Sequence, residues 1–219
     1  MSWQRARKPA QKEQRKAAIL EAAARMFEEH GFEKVSLNGL AAEAGISKAN
    51  VYRYFDSKEE IYLRLLLEDK EDWISSIERT LVSLAGTSDY RAFAKLITAS
   101  ILERPRLAAL ASVVSTVLER NVSVETIRWF KTEVMGKFLR LGNSILTVFP
   151  SLSLMEVRSF LLHLNCLLAG MWPASHPPEN VVEALKDTEL QMLCLDFSME
   201  FEQAIVITLR GLLHSVKES

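Results

Sequence analysis

Apolar residues along this chain recur at steps of three and four, and few β-branched runs alternate with period two. That pattern predicts an all-α protein. A first helix is predicted over 11–30, with Ile19, Ala23, Met26 and Phe27 on its core face. Gly31 stops it, since glycine takes the left-handed backbone that ends helices, and Phe32 is placed to fold back on Phe27. Ser36 can cap a short second helix whose apolar side is Leu37, Leu40 and Ala41, with Gly45 as its stop. Ser47 offers the next cap, and Val51 and Phe55, four residues apart, face inward. Ser57 with Glu60 has capping-box spacing and opens a long helix over 58–84, with Ile61, Leu65, Leu66, Trp73, Ile77 and Leu81 as its stripe.

Further helices are predicted over 90–102, 105–120, 124–149, 154–172 and 188–214. Pro105 suits a first helical position, and Ser153 with Glu156 is a second capping box. The fourth of these is expected to stop before Pro173, with 173–180 as a loop. The 124–149 segment is apolar on more than one side, which places it centrally.

Helix, glycine-containing turn and helix over 36–57 is the arrangement of a helix-turn-helix DNA reader. It leaves Lys48, Ala49, Asn50, Tyr52 and Arg53 on the outward, N-terminal part of the second helix, where a recognition helix carries its base-reading residues. Asn50 has the paired donor and acceptor that match adenine, and Tyr52 can pack on a sugar or a thymine methyl. Lys48 and Arg53 add positive charge.

Charge strengthens this reading. Although the net charge is −1, residues 1–56 hold ten Lys/Arg against seven Asp/Glu, and the acidic excess lies in the rest. A basic head suits contact with a polyanion at one end only. Residues 1–10 show no periodicity and are expected to be a flexible basic arm. With Arg5, Arg7, Lys8, Lys12, Arg15 and Lys16, the N-terminal stretch can follow DNA phosphates or enter a minor groove. The expected division is therefore an arm over 1–10, a helix-turn-helix domain over 11–57 and a helical body over 58–219.

The run Gly45-Ile-Ser-Lys-Ala-Asn-Val-Tyr-Arg-Tyr-Phe-Asp-Ser-Lys-Glu-Glu-Ile61 closely resembles the signature of the tetracycline-repressor (TetR) family of bacterial transcription regulators. Residues 19–32 are similar to that family's first helix. Gly39 departs from good helix chemistry inside the second helix, at a cost of roughly 1 kcal/mol. The resemblance implies that Ser36, Ser47 and Lys58 contact phosphates, that Tyr54 and Lys58 hold the DNA backbone, and that Lys48, Ala49, Asn50 and Tyr52 face bases. It also implies a homodimer on a palindromic operator, a four-helix dimer bundle, and a small-molecule pocket in the body.

Residues of the body fit those expectations. Ser159, His163, Cys166 and Gly170 share one face, and Ala204, Thr208, Gly211 and Ser215 share another; small residues let helix axes approach closely. Packing within one chain would use the same faces. Candidate ligand contacts are Trp73, Trp129, Met135, Phe138, His163, Asn165 and Trp172, bulky or polar positions in apolar helices, with an apolar or aromatic effector preferred. No metal-spacing motif, phosphate loop or nucleophile elbow is present, so neither an enzyme nor a bound cofactor is expected. Cys166 and Cys194 are expected to be buried, reduced thiols of a cytoplasmic protein. The most apolar stretch, 159–172, is too short to span a bilayer. The reading is a ligand-released homodimeric repressor. The alternative is a DNA-anchored interaction protein whose body binds another protein.

Overall fold

A computed structural model describes residues 3–186 and 189–215; the side chains of 3–10 and of Ser215 lie outside the description. Ten α-helices follow one another, with no strand among the described residues. They are α1 (Trp3–Lys34), α2 (Leu37–Glu43), α3 (Lys48–Val51), α4 (Lys58–Leu81), α5 (Tyr90–Leu102), α6 (Pro105–Val113), α7 (Val124–Val148), α8 (Leu154–Ser175), α9 (Glu179–Ala184) and α10 (Phe197–Ser215). The chain divides into two compact units, one of residues up to Glu68 with Val114–Lys131, the other of Asp69–Val113 with residues from Thr132 onward. The boundary expected at 57/58 falls inside the first unit, because α4 and α7 each contribute to both.

The first unit is built by local signals. α1 breaks at Gly31, whose φ of 72° is open to glycine alone at little cost. Ser36 Oγ accepts the Gly39 N–H at 3.1 Å and Ser47 Oγ accepts the Asn50 N–H at 3.3 Å. The Phe27 and Phe32 rings meet through a third ring: both pack on Tyr62 of α4, at centroid distances of 5.7 and 5.3 Å. Burial raises the Tyr62 pKa, and its hydroxyl donates to the Ala23 carbonyl at 3.3 Å. A Cβ at Gly39 would come within 2.9 Å of Met26 Cε, so the glycine makes room for α1 against α2. Residues 3–10, expected as a flexible arm, are helical backbone continuous with α1. Alanine, arginine and lysine are strong helix formers.

In the second unit α5 packs on α10, α6 on α8, and α8 on α10. Phe93 sits at its centre, edge-on to Phe149 and Phe160 at 5.2 and 5.9 Å. An ionic ladder ties α4 to α7: Arg140 binds Glu71 and Glu78, and Lys137 binds Glu71. Those two hydrogen-bonded cations hold the Glu71 carboxyl down to about 2.

Several boundaries differ from expectation. α6 ends at Val113, short of Arg120, because Val113, Val114, Thr116 and Val117 are β-branched residues of lower helix propensity. α8 runs through Pro173 to Ser175. Its 22 residues are long and apolar enough to cross a bilayer by length and composition, unlike the stretch expected. In the second unit one side of it is packed, burying Val157, Phe160, Leu161, Leu164, Leu168 and Trp172. α9 begins inside the last two residues of the predicted 173–180 loop, and α10 starts at Phe197 rather than at 188, where Asp196 Oδ1 accepts the Met199 N–H at 3.0 Å. Both cysteines are exposed, contrary to expectation. Cys166 falls opposite the buried stripe of α8, and Cys194 precedes α10 outside any helix.

One half-buried charge carries a pH prediction. Lys70 is half-buried on α4, and burial, then the Lys137 charge, lower its ammonium pKa to about 8. The unfolded chain binds more protons between about 8 and 10.5, so this group's contribution to stability rises with pH across that window. Lys70→Met is expected to stabilise the protein at pH 7 by on the order of 1–3 kcal/mol. Urea unfolding at pH 7 and near pH 10.5 checks it: the gain should shrink at the higher pH, and an equal gain at both would show that the lysine charge is not the cause.

Candidate nucleic-acid interface

The reader is small and its placement is local. Val51, fully buried, and Phe55, 1% exposed, pin α3 and the turn after it to the first unit. That fixes the helix phase and turns Lys48, Ala49, Tyr52 and Arg53 outward; all four are exposed, and Asn50 is half-buried at the edge. Lys48 Nζ lies 5.9 Å from the Tyr52 ring centroid, so the two form one amphipathic surface. α2 packs on both α1 and α3, which sets the angle at which α3 is presented.

The flanking residues divide into two kinds. Ser36 and Ser47 are exposed while capping α2 and α3, so each hydroxyl stands beside free N–H groups of a helix start. Phosphate oxygens suit such a position. Lys58 is different: its ammonium donates to the carbonyls of Phe32 and Val35 at 3.2 and 2.9 Å and lies 4.0 Å over the Phe32 ring. Much of its bonding capacity therefore closes the end of α1.

Sequence reasoning missed the cleft beside the reader. An open depression of about 530 Å³ is lined by Gln11, Lys12, Gln14, Arg15, Arg53 and Tyr54. Three cations converge there from α1 and from the turn after α3. The i, i+3 and i, i+4 spacing of Gln11, Gln14 and Arg15 was the available signal, but only folding brings that face to Arg53.

Two family models match the chain in tandem. Residues 19–65 match the model described as bacterial regulatory proteins, tetR family, and residues 67–216 match the tetracyclin repressor-like C-terminal domain. The chain belongs to the TetR family. It is a DNA-binding transcriptional regulator, not an enzyme. An uncharacterised regulator of Bacillus subtilis, YfiR, is 33% identical over 69 residues, 32% of this chain and 34% of the relative. The chain thus spans about a third of that relative's length. The fatty acid metabolism regulator protein of Bacillus subtilis is 26% identical over 137 residues, 63% of this chain and 69% of the relative. A TetR-family regulator from Mesorhizobium loti shares the fold, with a TM-score of 0.57 at 18% identity, covering 93% of this chain and 97% of the other. TetR-family regulators bind DNA operators and small-molecule ligands, typically as dimers.

The residues expected in the ligand site of this TetR chain scatter. Trp73 is buried in the second unit, its indole N–H donating to Ser100 Oγ at 2.9 Å. Trp172 is buried too, edge-on to Phe197 at 5.0 Å and stacked on His176. Phe138 is half-buried, while Met135, His163 and Asn165 are exposed and reach no interior of the single chain. Trp129 lies in the first unit, under the Arg64 guanidinium. Of the small-residue faces, His163, Cys166, Gly170 and Gly211 are exposed, and Ser159, Ala204 and Thr208 are half-buried. Ser215 lies outside the residues whose side chains are described.

Proposed function

We propose that this TetR regulator is a homodimeric, cytoplasmic repressor, released from a palindromic operator by a small apolar or aromatic ligand. Lys48, Ala49, Asn50 and Tyr52 face bases, and Ser36, Ser47, Arg53, Tyr54 and Lys58 hold the backbone. The observation that carries the dimer is the uncovered side of α8. Leu154, Met155 and Leu162 stand exposed on the helix that also exposes Cys166 and Gly170, and a Cβ at Gly170 or Gly211 would meet open space. A second copy buries this apolar surface and brings small residues to the helix contact. Sequence similarity to a fatty acid metabolism regulator over 63% of the chain supports an apolar effector.

A second reading, a body that binds a protein partner, draws on Val181, Val182, Leu190, Met192 and Leu193, all exposed between α8 and α10. One experiment separates them. DNA from upstream of the protein's own gene is titrated with the dimer, alone and with fatty acids, acyl thioesters or aromatic compounds. Release by one of them is expected. Linkage requires the operator to weaken that ligand's binding by the same factor, so equal ligand affinity with and without DNA would exclude induction. The second reading predicts no release by any of these compounds.

A further inference from the structure

The exit of the recognition helix is held by a chain of contacts that none of its base-facing residues makes. Ser57 and Glu60 have capping-box spacing, and Ser57 Oγ does accept the Glu60 N–H at 3.1 Å. Glu60 reaches one residue further back than a box requires: its Oε2 accepts the Asp56 N–H at 2.8 Å. Asp56 directly follows Phe55, the last core anchor of the reader. The other carboxylate oxygen, Oε1, accepts from Arg64 Nε at 2.9 Å and Nη2 at 2.8 Å. Glu60 is buried, its side chain 8% exposed, so this carboxylate depends on the Arg64 cation.

Arg64 is itself positioned by rings. Its guanidinium carbon lies 4.1 Å from the Trp129 centroid and 5.7 Å from that of Phe55. Trp129 is on α7, whose residues 124–131 belong to the first unit and whose remainder belongs to the second. A shift or rotation of α7 therefore moves the ring on which Arg64 rests. An arginine that slides off its ring turns its planar fork away from Glu60, because the fork's geometry is rigid.

We propose that Trp129, Arg64 and Glu60 are positioning residues for DNA binding, through which α7 sets the geometry of the recognition helix at Asp56. α7 then acts on the reader through an aromatic face and a buried carboxylate. The inference rests on DNA binding alone, with no ligand and no repression in its test, so its failure is distinct from failure of the ligand-released reading.

The test uses the full-length protein and a duplex selected from a random-sequence pool by the wild-type protein. Trp129→Leu keeps apolar bulk and removes the aromatic face; Trp129→Phe keeps a face. Exchange of the Asp56 amide and affinity for the selected duplex are measured for both, with core amides of α10 as reference. The Leu variant is expected to exchange at Asp56 about tenfold faster and to bind about tenfold more weakly, with the reference amides unchanged. The Phe variant is expected to stay within about threefold of wild type in both. Equal behaviour of the two variants, or wild-type exchange at Asp56 in the Leu variant, overturns the proposal.

Discussion

Affinity for operator DNA is expected to fall by roughly 10³- to 10⁴-fold between 50 and 200 mM salt. About six to eight phosphate contacts per dimer correspond to a slope of log K on log salt of roughly −5 to −7. The cations are Lys48 and Arg53 at the reader, and Lys12 and Arg15 across the cleft from Arg53. All four are exposed and none has a carboxylate partner among the described ion pairs, so each is available to displace counterions. Lys58 contributes less, because two carbonyls already hold its ammonium. Lys12→Ala with Arg15→Ala should flatten the slope by about 2 to 4 across a dimer. A near-flat titration of the wild-type protein would remove α1 from the interface.

Asn50→Ala and Tyr52→Ala should each cost specific binding heavily and folding little. A good base contact is worth about 1–3 kcal/mol, and a dimer loses it twice, so each variant should bind its operator roughly 30- to 10⁴-fold more weakly. Folding should survive because the load of α3 is carried by Val51 and Phe55. Tyr52 is 49% exposed, and the hydrogen bond that Asn50 makes to the cap uses its backbone N–H. Non-specific DNA should be bound nearly as well as before, since phosphates carry that term. Circular dichroism and binding to both kinds of DNA check this. Variants that unfold would mean that Asn50 and Tyr52 support the fold.

Features settled within a few residues along the chain were legible before folding. Ser36, Ser47 and Ser153 cap the helices that follow them, each through a side chain that reaches only three residues on. Gly31 and Gly45 have the positive φ that their stop signals required. Val51 and Phe55 fixed the phase of α3, and with it which of its residues face outward. Tertiary structure decided what depends on partners distant in sequence. Lys58 matches a phosphate-contact position, yet its ammonium lies on Phe32 and Val35, 26 and 23 residues back. Trp129 looked like a pocket residue, and its ring faces Arg64. Cys166 lay in an apolar run and is exposed, because α8 is apolar on more than one side. Periodicity names the apolar sides of such a helix, but which side is covered depends on the helices that pack against it, and those are brought there only by the fold.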